Sequence, residues 1–219
     1  MDNKQLVREL VAEQKYEQLL KLGRKKHNQT LKYIQMHLFE DINMPLRWYG
    51  IEAIGRLTRE LAPREPEIYR NLIRRFLWAM NDESGNVPWS SPEGIGSIIA
   101  NQPFLFGHYT PMLITNALDN PMCHRGTLWA VGRIGKIKHS LVLPFIEEIT
   151  PFLSAVDSDL RGYAAWALGE IGFYRVLPEL ITLQEDTSPV YIFREGRLSL
   201  ASVGTLAKEA VGKLVEGGI

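Results

Sequence analysis

The residues of this chain best suited to covalent chemistry are Cys123 and His124, which are adjacent in the sequence. A protonated imidazole lowers the pKa of a neighbouring thiol and so favours a thiolate nucleophile. Adjacent residues of a helix, however, project about 100° apart and do not face each other, so we predict no catalytic dyad. The other histidines lack the H-E-x-x-H and H-x-x-E-H spacing of zinc hydrolases, and the chain has neither a Gly-x4-Gly-Lys-Ser/Thr loop nor a Gly-x-Ser-x-Gly motif. The sequence thus predicts no catalytic residue, no metal site and no cofactor, and it favours a protein that is not an enzyme.

Residues 81–86 form an acidic segment that could bind a ligand. Asp82 and Glu83 are adjacent carboxylates, and together with Glu93 they could present an acidic pocket to a cation, a basic peptide or a polar ligand. In the alternative interpretation the segment is a loop between helices, in which Asp82 or Ser84 caps backbone amides and Gly85 adopts a positive φ. The spacing of a calcium-binding EF-hand loop is absent. Both interpretations of the segment remain open.

Composition and charge disfavour several classes of protein. The 219 residues include 25 Lys and Arg and 25 Asp and Glu, so the formal net charge is zero and a protein that coats nucleic acid is disfavoured. A hydrophobic fraction of 45% is too high for an intrinsically disordered chain. The single cysteine rules out an intramolecular disulfide and a cysteine-rich zinc site. Because we find no secretory signal and no apolar stretch of about 18 residues, we expect a soluble cytoplasmic protein without a membrane partner.

Apolar residues recur with helical spacing along the whole chain, whereas alternating β-branched runs and Asn-Gly or Asp-Gly turns are missing. This pattern predicts an all-α fold. We expect a first helix from about Leu6 to Gly23 and a second from about Thr30 to Glu40, which together form an N-terminal cap over residues 1–40. Further amphipathic helices are expected at residues 65–80, 109–118, 141–154 and 175–185.

A nine-residue pattern that contains small residues recurs along the chain and predicts one helix per copy. Four copies occupy residues 47–55, 124–132, 161–169 and 196–204, and a degenerate fifth copy occupies residues 91–99. The later copies are spaced by 37 and 35 residues. A period of this length with two helices per unit indicates stacked helical hairpins. We therefore predict one continuous solenoid domain of about five hairpins over residues 41–219. Glycine inside a helix costs about 1 kcal/mol relative to alanine, so its recurrence at Gly50, Gly126 and Gly162 indicates close helix contacts.

Residues 160–172 resemble a helix of a known repeat family. They read L-R-G-Y-A-A-W-A-L-G-E-I-G, which is similar to the V-R-x-x-A-A-x-A-L-G-x-I-G helix of HEAT repeats of the phycobilisome-lyase type. The resemblance extends over roughly residues 41–215. Residues 78–85, W-A-M-N-D-E-S-G, also resemble a segment of a prokaryotic HEAT-like family. These resemblances imply a right-handed α-α superhelix with an armadillo-type fold, and they do not imply an activity.

The resemblance also implies that the arginine-containing helix of each hairpin lines a concave surface. If Ala164 and Leu168 face the core, helical spacing places Tyr163, Trp166 and Glu170 on the opposite face. Trp, Tyr and Arg dominate the energetics of protein interfaces, so a face rich in them favours a binding groove. The same spacing, applied to every copy, predicts a partner-binding surface that consists of Trp48, Tyr49, Glu52, Arg56, Trp89, Glu93, Arg125, Trp129, Arg133, Tyr163, Trp166, Glu170 and Arg197.

Two structural interpretations compete with this one. The tryptophans could instead fill gaps between successive hairpins. Arg47 and Arg161 are interpreted as structural, because in repeats of this type the arginine pairs with an acidic residue of a turn between hairpins. Asp157 and Asp159 are in position for that role.

The function that these patterns favour is a non-enzymatic scaffold that binds a protein or peptide partner in an aromatic and charged groove. Resemblance to other HEAT-like proteins leaves two alternatives open. The first is a subunit similar to phycobilin lyases, which would hold a tetrapyrrole. The second is a protein similar to the HEAT-like alkylpurine DNA glycosylases, but nucleic acid is the less favoured partner because Glu52, Glu93 and Glu170 dilute the positive field of the groove.

Overall fold

The computed structural model describes residues 2–41, 43–81 and 90–217, most of which are helical. The helices are α1 (Asn3–Ala12), α2 (Tyr16–Lys25), α3 (His27–Gln35), α4 (Pro45–Leu61), α5 (Pro66–Met80), α6 (Ser91–Asn101), α7 (Pro103–Phe106), α8 (Thr110–Leu118), α9 (His124–Lys138), α10 (Ile146–Ile149), α11 (Ser158–Ile171), α12 (Leu177–Thr182) and α13 (Val203–Gly217). Two strands, β1 (Pro189–Arg194) and β2 (Arg197–Ser202), lie between α12 and α13.

Five helices form an inner row in which each helix packs against the next, in the order α4, α6, α9, α11 and α13. Glycines allow the close approach. A Cβ atom built on Gly169 would lie 2.6 Å from the Cβ of Ala210 on α13, and one built on Gly96 would lie 2.7 Å from the Cα of Ala130 on α9. Larger residues would push these helices apart. The predicted role of small residues at helix contacts is therefore confirmed.

An outer row covers one side of the inner helices. It consists of α5, α8, α10 with its flanking 3-10 turns, and α12. Successive helical hairpins therefore stack along the chain, as predicted for a solenoid. The helices expected at 65–80 and 109–118 are confirmed by α5 and α8. The continuous helix expected at 141–154 is wrong, because Pro144 and Pro151 lack the amide hydrogen that an α-helix requires and the segment forms short turns instead.

The three N-terminal helices pack against α4. The prediction of one helix from Leu6 to Gly23 is wrong, because the chain turns sharply at Gln14, whose φ is 52°. The amide of Gln14 donates to the oxygen of Val11, and the amide of Lys15 donates to the oxygen of Leu10. This is the Schellman arrangement, which usually carries glycine at the left-handed position. Because this position carries glutamine and not glycine, the sequence pattern does not indicate that the helix ends here.

The prediction that residues 196–204 form a repeat helix is also wrong. Most of this copy belongs to an antiparallel hairpin, in which Ile192 pairs with Ser199 and Arg194 pairs with Arg197. The two turn residues, Glu195 and Gly196, have φ values of 53° and 78°, as a two-residue type I′ turn requires. The helix of this repeat begins only at Val203. The hairpin is therefore inserted ahead of the last inner helix.

Candidate functional site

The aromatic residues of the predicted surface hold the chain's own hairpin. Trp129 on α9 donates a hydrogen bond from Nε1 to the main-chain oxygen of Phe193, at 2.8 Å. Tyr163 on α11 donates its hydroxyl to the main-chain oxygen of Tyr191, also at 2.8 Å. Burial raises the pKa of Tyr163, which keeps the hydroxyl protonated and able to donate. The two acceptors are two residues apart on β1, so these side chains bind one edge of an extended strand.

Aromatic stacking fixes the hairpin further. The rings of Trp48 and Phe193 are stacked, with centroids 5.3 Å apart and planes inclined by 8°, and the ring of Trp129 is 5.3 Å from that of Trp48. Trp48 is 1% exposed, and Trp129 and Tyr163 are fully buried. The expectation that these three residues present an open surface is therefore wrong. The physical reason is that residues 197–202 form a strand that pairs with β1 instead of another helix, and β1 covers the aromatic stripe.

Glu93 was predicted for the same surface but lies inside the protein, where it is 1% exposed. Its Oε1 is 2.8 Å from Nη2 of Arg47, and Nε of Arg47 donates to the hydroxyl of Ser90. Burial lowers the pKa of Arg47, while the Glu93 carboxylate acts in the opposite direction and favours the charged guanidinium. The prediction of an exposed Glu93 is wrong, because this buried pair joins α4 to α6. The structural role expected of Arg47 is confirmed.

Arg161 is also structural, but its predicted partner is wrong. Its Nη2 is 2.7 Å from Oδ2 of Asp186, which follows α12. Asp157 instead caps the N-terminus of α11, where its carboxylate accepts the amide of Asp159 at 2.8 Å. The carboxylate of Asp159 pairs across the repeats with Arg125, at 2.8 Å. Hydrogen bonds from Ser188, together with the pairing to Arg161, lower the pKa of Asp186 despite partial burial.

The charged residues of the predicted surface near α4 are partly exposed and paired. Glu52 accepts hydrogen bonds from Arg56 at 3.0 Å and from Arg133 at 3.4 Å, so it connects α4 with α9. The guanidinium of Arg56 lies 4.5 Å from the centre of the Tyr16 ring, at a cation–π distance. Tyr49 is half-buried, and its ring makes an edge contact with the hairpin.

An open cavity of about 480 Å³ lies beside the hairpin. The helices α9, α11 and α13 line it together with residues of both strands and the turn. Four residues of the predicted surface contribute to it, namely Arg133, Trp166, Glu170 and Arg197. The other residues that line it are Lys136, Arg194, Glu195, Ser199, Glu209, Gly212, Lys213 and Glu216. We call this space the charged cavity.

Positively and negatively charged side chains are held in place by ion pairs in the charged cavity. The side chain of Glu170 is 6% exposed and lies between Lys136, at 2.8 Å, and Lys213. Burial opposes ionisation of Glu170, but hydrogen bonds from the two lysines outweigh that effect and lower the pKa of the carboxyl. Arg194 of β1 forms an ion pair with Glu209 of α13. These side chains present charged groups in fixed positions, as a polar ligand requires.

Arg197 is an exposed cation of this cavity and, unlike the exposed Lys136 and Lys213, it does not pair with Glu170. It begins β2, directly after the turn, and no ion pair within the described ranges includes it. Trp166 contributes an aromatic edge and is only 5% exposed. The expectation that Trp166 presents an open face is therefore wrong, because its ring packs against Gly132 of α9. The cavity can offer a cation and several paired charges to a ligand, with only an edge of Trp166 accessible.

The sequence reasoning missed the charged residues of the hairpin and of α13. Arg194, Glu209 and Lys213 come together only because the hairpin folds against α13. A signal was present in the β-branched and aromatic run Val190–Phe193 and in the Glu-Gly pair at residues 195–196. Glu-Gly is not one of the Asn-Gly and Asp-Gly pairs that usually mark a two-residue hairpin turn.

Trp89, Asp82 and Glu83 lie outside the described residues, so the predicted acidic pocket has no structural description. Over residues 2–41, 43–81 and 90–217, no group of three or more His, Cys, Asp or Glu side chains could hold a metal ion. In the same part of the chain, no helix combines the length and hydropathy needed to cross a bilayer. Cys123 is buried, and burial raises the pKa of its thiol to about 12, which leaves it protonated.

Known proteins that are similar to this chain include a sequence relative and a solved structure. No family model matches the chain. Over 128 residues, 58% of this chain and 67% of the relative, the sequence is 26% identical to a protein of Archaeoglobus fulgidus that is described as an uncharacterized protein. A crystal structure of an archaeal HEAT-like repeats protein from Thermococcus onnurineus is 15% identical, with a TM-score of 0.43, and the match covers 100% of this chain and 83% of that chain. Neither description names a ligand or a partner.

Proposed function

We propose that this helical-repeat protein is a non-enzymatic scaffold that binds an extended segment of a partner protein in the charged cavity. The observation that carries the proposal is the open cavity itself, which three inner helices and the hairpin line with fixed charges of both signs. Its volume of about 480 Å³ is within the range of about 300–1,000 Å³ that ligand sites have in proteins.

The lining favours a peptide over other ligands. A peptide presents charged and apolar side chains on one chain, and the charged cavity offers Arg197 beside the paired Glu170 and the edge of Trp166. Arginine and tryptophan are the residues that contribute most to protein interfaces. Acidic residues such as Glu195 and Glu216 also line the cavity, which is unfavourable for a polyphosphate backbone.

The two alternative functions are supported less well. A tetrapyrrole subunit and a DNA glycosylase would both use exposed aromatic faces to stack on a flat ligand. Trp48, Trp129 and Tyr163 are instead buried under the hairpin. We therefore place peptide binding ahead of both.

The proposal is tested by selecting peptides from a random dodecapeptide display library on the immobilised full-length protein. We expect the selected peptides to bind in solution, and we expect the charge reversal Arg197→Glu to weaken their binding by about tenfold or more. The matched control is Arg175→Glu, since Arg175 is an exposed arginine that does not line the charged cavity.

Two results would overturn the proposal. The first is a library that yields no peptide with reproducible binding. The second is a set of peptides whose affinities are equal for the Arg197→Glu and Arg175→Glu variants, since binding would then not involve the cavity.

A further inference from the structure

Among the residues that the structure describes, none pairs with the main-chain groups on the outer edge of β2. The carbonyls of Tyr191 and Phe193 point to α11 and α9, where Tyr163 and Trp129 bind them, and therefore away from β2. Opposite residues of an antiparallel pair alternate between hydrogen-bonded and non-hydrogen-bonded positions.

Leu200 and Leu198, which pair with Tyr191 and Phe193, must accordingly direct their own N–H and C=O groups away from β1. Within the described part of the chain, no third strand pairs with β2, and no hydrogen bond from another element reaches the main chain of these two leucines. β2 is thus an edge strand, and such an edge is a template for pairing with another chain.

Side chains along this edge are unusually apolar for an exposed hairpin. Leu200 is 58% exposed and its cross-strand partner Tyr191 is 47% exposed. They lie on the same face of the hairpin, because residues opposite each other in a sheet point to the same side. A bulky apolar group on an added strand would cover Leu200, whereas Tyr191 lies one strand further away.

A positive charge lies at the N-terminal end of β2. Arg197 begins β2 and is exposed, and both Arg197 and Ser199 line the charged cavity. Arg197 and Leu200 are three residues apart, so their side chains point to opposite faces of the strand. An added strand would meet a cation on one face and apolar surface on the other.

We propose that β2 binds the partner segment as a third strand, by main-chain hydrogen bonds to Leu198 and Leu200. This inference rests on the proposed function and specifies its geometry. The segment is extended, and it carries an acidic residue opposite Arg197 and a bulky apolar residue opposite Leu200, three positions apart. Main-chain pairing gives affinity in this mode of recognition, and side chains at alternate positions give specificity.

Alternate N-methylation of a selected peptide tests the main-chain pairing without changing the protein. In an added strand, every second amide faces β2, so methylation of one alternate set should weaken binding by about tenfold or more while methylation of the other set changes it little. Equal effects of the two sets would overturn the inference.

A protein variant provides the complementary test. Leu200→Pro removes one outward N–H, and proline is tolerated at edge positions whose N–H does not pair within the sheet. Leu200→Val keeps that N–H and serves as the matched control. We expect Leu200→Pro to lose peptide binding by about tenfold more than Leu200→Val, with the circular dichroism of both variants unchanged.

The outcomes separate this inference from the proposed function. If peptides depend on Arg197 but show no alternation on methylation, the charged cavity binds them and the strand pairing is refuted. If no peptide binds, the proposed function fails as well. If sedimentation shows a dimer of the wild-type protein that Leu200→Pro dissociates, a second copy of the chain occupies the edge and the inference is also overturned.

Discussion

The hydroxyl of Tyr163 allows a sharp test of how the hairpin is held. Tyr163→Phe removes a single oxygen atom from a fully buried side chain and leaves the ring in place. The lost atom donates to the main-chain oxygen of Tyr191 at 2.8 Å. A buried acceptor that loses its donor costs about 1–3 kcal/mol. We expect about 1–2 kcal/mol, since Tyr191 is itself half exposed and water can reach part of the strand.

Urea unfolding and thermal melting measure this loss. For a domain of about this size, 1 kcal/mol corresponds to a fall in Tm of roughly 2–4 °C. Tyr174→Phe is the matched control, because Tyr174 is 51% exposed and surface changes of this kind stay within about 0.5 kcal/mol. Hydrogen exchange adds a local readout, since the amide of Ile192 should exchange faster in Tyr163→Phe as the hairpin loosens.

The reasoning would be refuted if Tyr163→Phe were as stable as Tyr174→Phe. It would also be refuted if Tyr163→Phe lost stability while the exchange of the hairpin amides stayed unchanged. In either case the hydroxyl would not anchor β1, and the hairpin would be held by its other contacts, such as the Trp129 hydrogen bond and the Arg194–Glu209 ion pair.

Three further predictions concern the interior and the charged cavity. Trp129→Ala should lower the free energy of unfolding by about 3–5 kcal/mol in urea titrations, as the removal of a fully buried aromatic ring does, and a loss below about 1 kcal/mol would contradict this. Gly169→Ala should lower the Tm, because the added Cβ atom would collide with Ala210. Gly212→Ala should raise the Tm, because nothing lies within 4 Å of the added atom and alanine favours the helix. Equal shifts in Tm would contradict the packing argument. Glu170→Gln should be less stable than wild type at neutral pH and approach it in acid. The pKa of Glu170 is lowered in the folded state, so its contribution is present above the unfolded pKa of about 4.3 and is lost as the pH falls through the folded value; parallel curves of Tm against pH would exclude this role.

The repeat architecture was predictable because its causes are local. Small residues at a period of 37 and 35 residues mark where inner helices touch, and Gly169 against Ala210 shows the reason. Helix boundaries at α5 and α8 followed from amphipathic spacing. The end of α1 did not, because Gln14 occupies a left-handed position where glycine usually signals the turn.

The candidate site was only partly predictable, because helical spacing gives the face of a helix and not what covers that face. Trp129 and Tyr163 do lie opposite the inward stripe, yet they bind carbonyls of β1 and are buried. Arg133 and Glu170 line the open charged cavity, although the side chain of Glu170 is itself only 6% exposed. The difference between these two pairs depends on one insertion of about a dozen residues, whose contacts are long-range and invisible to a periodic pattern.

That insertion also changes the mechanics expected of a helical array. In simple solenoids each repeat contacts only its neighbours, so the distance between the two ends can increase through small changes at every repeat interface. Here Phe193 stacks on Trp48, and Arg133 pairs with Glu52 past an intervening repeat. These contacts join the first inner helix to the third and to the hairpin that precedes the fifth. We therefore expect a force that pulls on the two ends to meet high resistance until these contacts break together.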